Sequence, residues 1–370
     1  MMKTETTGKY ATIHYHSYLQ LEAILGAQQL RSDKVGELPA HEEMLFIITH
    51  QAYELWFKQI IHELKSVLKV FSQTSIDESN MGVVVSRLER VDTIMDLLVQ
   101  QVSVMETMTP LDFLDFRNYL FPASGFQSFQ FRMVENLIGL PEKHRITYNS
   151  HHYAKFFPED QKAELEKIYE SGTLSDAIEQ WLERTPFVQF ENFDFLKQYE
   201  VAVEKMIQKE QAAIQHSEYL TDDEKQMRLK MLGGRDTYFQ SVLDPEVHAS
   251  LKKEGKLKFS YGATVSALFI NLYRDEPILH LPYRLLAVLL TLDAKFTTWR
   301  YRHAQMVQGM LGNKIGTGGS SGYDYLIETA LKHKFFTDLH NISTLLIPRS
   351  ELLELPENVK RELNFHFSSK

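Results

Sequence analysis

HEEMLFIITHQAYELWFKQIIHELKSVLKVFS, residues 41–72, decides the fold. Met44, Phe46, Ile47, Ile48, Tyr53, Trp56, Phe57, Ile60, Ile61, Leu64, Val67 and Leu68 recur at spacings of three and four. That period predicts one long helix, and an apolar face this wide requires burial among other helices. The pattern continues outward. A second helix is expected over about 79–105. Thr109-Pro110 reads as an N-cap followed by proline at the first helical position, with Asp112 favourable in the first turn. That helix carries LDFLDFRNYL and stops before Pro122. After a break at Ala123-Ser124-Gly125, FQSFQFRMVENLIGL resumes the helix. Further helices are expected at about 159–171, 174–183 and 191–215. Pro282–Met310 reads as a second long apolar helix, stopped near Gly312, and the tail offers shorter ones. Strand-like alternation is nearly absent and there is no internal repeat. The expected fold is all-α: one domain over 1–370, a large helical bundle, with the more charged stretch 203–262 as a small peripheral helical subdomain inserted in the core.

Composition narrows the function classes. The 370 residues are 44% hydrophobic and 24% charged, enough for a substantial core. A net charge of −9 argues against a dedicated nucleic-acid binder, which needs clustered Lys and Arg. With no cysteine there are no disulfides, zinc–thiolate sites, iron–sulfur clusters or covalent haem attachment. The start MMKTETTGKYATIHYHSY has no apolar signal core. The apolar run Leu285–Leu290 is far short of a membrane span. A cytoplasmic protein is expected.

Five of the seventeen glycines fall between Gly312 and Gly322, around GTGGSSG. A phosphate loop would need lysine after the glycines, but Lys314 precedes them. A dinucleotide fingerprint starting at Gly316 would need glycine at 321, where Ser321 stands. The preceding element is a helix rather than a strand, so the phosphate reading fails. An ordinary helix connector is one alternative. Carboxylate-bridged metal centres are also disfavoured: no histidine has Glu three residues before it, and HExxH is absent.

Single residues leave two readings each. His50 has Phe46, Ile47 and Tyr53 as helical neighbours. It is either a core histidine or one that lines an apolar pocket and bonds a ligand or moves a proton. His303, with Trp299 one turn before and Met306 and Val307 one turn after, is either core or the axial ligand of a non-covalent haem. Arg117 shares a face with Phe113. It either pairs with Asp112 or Asp115 or is reserved for a ligand carboxylate. Ser124-Gly125 would let backbone approach a bulky group.

Taken together, HEEMLFIITHQAYELWFKQIIHEL, LDFLDFRNYLFPASGFQSFQFR, WRYRHAQMVQGMLG and GTGGSSGYDYL, in this order, resemble the tryptophan 2,3-dioxygenase family. YHSYLQLEAILGAQ resembles its leading segment, and the likeness runs from about Tyr15 to Pro348. The resemblance implies that His303 ligates the iron of haem b, ferrous in the active form, and that His50 faces the indole N–H of the substrate. It implies that Phe46 packs on the indole, that Arg117 binds the substrate carboxylate, and that Thr317 contacts the substrate ammonium and carboxylate. Phe113 stands where some members have Tyr, so a phenolic contact to the carboxylate is absent. Ser124 and Gly125 match residues beside the haem. Tyr15, Tyr18 and Leu19 match a segment, within about 1–35, that completes a neighbouring subunit's pocket in a homotetramer.

The implied reaction inserts both atoms of O2 across the indole C2–C3 bond of L-tryptophan to give N-formyl-L-kynurenine, the first step of tryptophan catabolism through kynurenine. No nucleic acid or membrane partner is expected. Burying a zwitterion is costly unless both charges are paired, which is the role implied for Arg117, Thr317 and a haem propionate. The glycine loop then reads as a lid over an amino acid, with 314–322 expected to be mobile without substrate. Two alternatives are a related haem enzyme acting on another aromatic amino acid and a non-catalytic haem- or tryptophan-binding protein.

Overall fold

The computed structural model describes residues 12–36, 38–73, 78–140, 145–146, 157–186, 188–190, 193–312, 314 and 322–364. Three short helices lead the chain: α1 (Tyr15–Tyr18), α2 (Leu21–Leu25) and α3 (Ser32–Val35). Then come α4 (Glu42–Phe71), α5 (Glu78–Met105), α6 (Pro110–Arg117), α7 (Phe129–Ile138), α8 (Glu159–Glu170) and α9 (Leu174–Glu183). A two-residue antiparallel pair, β1 (Gln189–Phe190) and β2 (Phe193–Asp194), follows. The remainder is α10 (Phe195–Gln215), α11 (Asp222–Leu243), α12 (Pro245–Lys253), α13 (Tyr261–Leu272), α14 (His280–Leu311), α15 (Gly322–Lys332), α16 (Thr337–Leu345) and α17 (Glu357–Glu362). The chain is all-α in architecture.

The long helices α4, α5 and α14 form the spine. α5 packs against both α4 and α14, while α7 covers α4 and α15 covers α14. Ile60, Leu64 and Val67 from α4, Val84, Leu88 and Leu98 from α5, and Leu285, Leu289 and Phe296 from α14 are completely buried. Each large aliphatic side chain so buried contributes roughly 1.5–3 kcal/mol. Polar ties fix the helices lengthwise. The Tyr53 hydroxyl donates to the Leu98 carbonyl at 2.9 Å, and the Lys295 ammonium bridges Asp92 and Asp96.

The caps are local and legible. Thr109, Thr173 and Thr221 each close a capping box with the acid three residues on, which starts α6, α9 and α11. α7 ends at Gly139, whose φ of 107° is left-handed; a Cβ there would lie 2.6 Å from Thr173 Oγ1. Two expectations shift. The helix expected from 191 begins at Phe195, because Phe193 and Asp194 pair with β1 and Asp194 then caps the helix. The helix expected from 126 is a 3-10 turn at Gly125–Gln127 followed by α7, since Ser128 interrupts as an N-cap.

By length and composition Pro277–Leu311 could cross a bilayer, further than the run 285–290 suggests. Here it is a core element: Asp293 is buried and accepts the Phe335 N–H, and buried Arg300 is ion-paired with Glu135. Within 203–262, α11 lies against α10 and α12 and reaches α13 and α16.

A candidate active site between two histidine-bearing helices

A second apolar cluster, apart from the main core, forms where the start of α4, the end of α5, α6 and the end of α14 meet. Ala40, Met105, Met108 and Phe116 are buried there, with Leu45, Phe46, Phe113, Met306 and Met310 packed against them. α6 is short, so its cap and its aromatic side chains hold it in place. Phe116 is fully buried and lies 5.5 Å from Phe46 and 5.4 Å from Phe113, both edge-on. Phe46 lies 5.9 Å from Phe113 and 4.1 Å from the His50 ring. Such pairs add about 0.5–1.5 kcal/mol each beyond area burial. They also form an aromatic wall beside His50.

His50 sits on that wall with one ring nitrogen committed. Its Nδ1 lies 2.7 Å from the Phe46 carbonyl oxygen. A carbonyl only accepts, so Nδ1 carries the hydrogen, and Nε2 of the neutral ring keeps its lone pair. The ring is accessible to solvent on one side, yet the surrounding protein depresses its pKa below 6.5 by burial, against the opposing pull of the Phe46 carbonyl and Glu54. The residue as a whole is exposed, while its ring packs against Phe46.

His303 comes to the same recess from α14. It is half-buried, and its pKa is pushed down to about 4 by burial and by the proximity of His50. The two histidines are thus within electrostatic reach of each other, one from α4 and one from α14. Neither ring nitrogen of His303 is hydrogen-bonded among the described residues. Its ring plane is set by Trp299, stacked at 5.6 Å and 16°. Trp299 is in turn flanked by Phe131 at 5.1 Å, Tyr53 at 6.0 Å and Phe57 at 6.2 Å. The Trp299 indole N–H is buried with no hydrogen-bond acceptor among the described residues.

Below this wall lies a charge cluster. The buried Glu135 carboxylate receives Arg132 at 2.7 Å, Arg145 at 2.9 Å and Arg300 at 3.0 Å, with His333 at 3.7 Å. Burial alone would raise its pKa; Arg132 and Arg145 foremost, then His333 and Arg300, hold it well below 4.5 instead. Arg300 is one turn before His303, so the cluster anchors the segment of α14 that carries His303.

Several residues singled out from sequence meet here. Phe46, His50 and Phe113 form one wall, and His303 faces the same recess. Arg117 is the last residue of α6, half-buried, one helical turn from Phe113. Ser124 caps the 3-10 turn that leads towards α7, and a Cβ at Gly125 would meet nothing within 4 Å, so space is open there. Tyr15 and Tyr18 lie on α1, 71% and 70% exposed, with Leu19 half-buried after it. Thr317, and most of the loop 314–322, lie outside the described residues. Phe116 and the Glu135 cluster were not singled out from sequence. Phe116 had a signal, three residues from Phe113 in an aromatic run, whereas the cluster joins residues as distant in sequence as Arg132 and His333.

Fold and site together describe a helical enzyme with an aromatic-walled recess between two neutral histidines. The model of the family described as "Tryptophan 2,3-dioxygenase" matches residues 2–346. Proteins named tryptophan 2,3-dioxygenase are similar over nearly the whole chain. The one from Bdellovibrio bacteriovorus is 47% identical, covering 97% of this chain and 100% of its own length. That from Alteromonas mediterranea is 44% identical over 95% and 97%, and that from Dictyostelium discoideum 45% identical over 96% and 89%. The chain belongs to the tryptophan 2,3-dioxygenase family, and it is a dioxygenase of tryptophan catabolism.

Proposed function

We propose that the chain inserts both atoms of O2 across the indole C2–C3 bond of L-tryptophan, giving N-formyl-L-kynurenine, with haem b held by His303. The observation that carries this reading is the pair of neutral imidazoles, His50 and His303, facing one aromatic recess from different helices. The residues suit haem. A neutral His303 with no hydrogen bond among the described residues offers its lone pair to iron. With cysteine absent, no thiolate competes as ligand. Bound haem supplies the redox-active iron for dioxygen chemistry.

The chain's own residues do the rest. His303 is kept unprotonated, and hence able to ligate, by the burial that depresses its pKa. His50, with Nδ1–H spent on Phe46, presents Nε2 as an acceptor to the indole N–H. Phe46 and Phe113 pack the ring and exclude water. Arg117 at the end of α6 pairs the carboxylate; Thr317 and a propionate serve the ammonium. A substrate lacking either charge would leave its partner unpaired, which costs far more than a lost methylene. Exposed Tyr15 and Tyr18 support a role for α1 in completing the pocket of another subunit in a homotetramer. A cytoplasmic location fits this reading.

The test mixes reduced, haem-loaded protein with L-tryptophan and isotopically labelled O2. The expected result is the near-ultraviolet absorbance of N-formyl-L-kynurenine with both labelled atoms in the product. Haem uptake without turnover would sink the reading in favour of a binding protein. Faster turnover of L-tyrosine or a hydroxylated tryptophan would move the substrate.

A further inference from the structure

Glu54 lies one helical turn after His50 on α4, half-buried and facing the start of α7. Its two carboxylate oxygens are each engaged by a residue more than seventy positions away. The Ser128 hydroxyl donates to Oε1 at 2.6 Å. The Gln130 side-chain amide donates to Oε2 at 2.8 Å and to the Glu54 backbone carbonyl at 2.8 Å. Charge-assisted bonds of this length are about twice as strong as neutral ones.

The Ser128 hydroxyl has a second role. While donating to Glu54 it accepts the Phe131 N–H at 3.3 Å, which makes it the N-cap of α7. Phe131 then presses on Trp299, and Trp299 stacks on His303. A continuous path therefore runs from the turn of α4 that carries His50, through Glu54, Ser128 and Phe131, to the plane of the His303 ring. The same corner fixes Ser124-Gly125, four and three residues before Ser128.

We propose that Glu54 is a positioning residue for the reaction: its grip on Ser128 and Gln130 sets the spacing between the His50 and His303 rings. This rests on the functional reading above. Mere bulk cannot replace the carboxylate, because both of its partners are donors. Glutamine keeps the shape but presents an N–H to one donor, so it retains part of the grip.

The experiment uses the haem-loaded full chain with Glu54→Ala, Glu54→Gln, Ser128→Ala and the Glu54→Ala/Ser128→Ala double variant. Glu54→Ala is expected to lower kcat for L-tryptophan by about tenfold to a hundredfold, the scale of a misplaced reacting group. KM should change much less, since Arg117 is untouched. Glu54→Gln should fall between Ala and wild type, and the double variant should lose no more than the larger single loss. Unchanged kcat in Glu54→Ala, or additive losses in the double variant, overturns the proposal. If Glu54→Ala does not fold, Glu54→Gln carries the test on the same criteria. If the wild-type protein oxidises no tryptophan, the functional reading fails, and exchange of the Phe131 amide in Glu54→Gln decides the clamp. Faster exchange supports it and unchanged exchange refutes it.

Discussion

His303 shows how burial selects a protonation state. In water an imidazole is half protonated near pH 6.5; here burial and His50 bring that point down to about 4. The sign follows from linkage. Between those two values the unfolded chain takes a proton that the folded chain refuses. The stability owed to the neutral ring is therefore complete above about 6.5 and is lost as pH falls through about 4. The ring also stays available to iron through that window. Uptake of haem by the haem-free protein should accordingly persist well below pH 6.5, and an uptake midpoint at the ordinary histidine value would contradict the depressed pKa. His303→Ala should abolish stoichiometric haem retention, measured as haem per chain after gel filtration.

α6 illustrates the element scale. Eight residues make a marginal helix on their own. It holds because Thr109 and Asp112 close the capping box at one end and Phe113 and Phe116 lock into Phe46 along its side. Arg117 rides at the far end, so its position depends on the whole helix. Thr109→Ala should cost about 1 kcal/mol of stability and should raise KM for L-tryptophan more than it lowers kcat. Chemical denaturation and steady-state kinetics read the two effects; a wild-type KM with the full stability loss would detach Arg117 from the substrate. The Thr109-Pro110 signature and the 3.6-residue period made this helix legible in sequence, because caps and faces are short-range facts. The 3-10 turn before α7 was not legible, since Ser128 is held as the cap of α7 by Glu54 from another helix.

At the scale of the whole molecule, Glu135 holds three guanidiniums and a histidine drawn from α7, α14 and the segments around 145 and 333. Removing it leaves those cations buried without their shared counter-charge. Glu135→Ala should destabilise the protein by about 3–5 kcal/mol, read as a lowered denaturation midpoint. The carboxylate's pKa is depressed, so its contribution is full above about 4.5 and is lost as pH falls through the lowered value. A Glu135→Ala protein as stable as wild type would show that the cluster is not an anchor of α14.

The sequence by itself determined the long helices, the Thr109 cap of α6, the all-α class and the order of the motifs that carry the family likeness. These are properties of neighbours three and four residues apart, and of residue identity. It could not decide whether His50 and His303 were core histidines or partners across a recess, because each window offered an apolar face and no view of what lay opposite. Only the tertiary structure brought α4 and α14 to one recess, drained the charge from both rings by burial, and tied their spacing to Glu54, Ser128 and Phe131. Such pairings span tens to hundreds of residues and are fixed by packing, which no local pattern encodes.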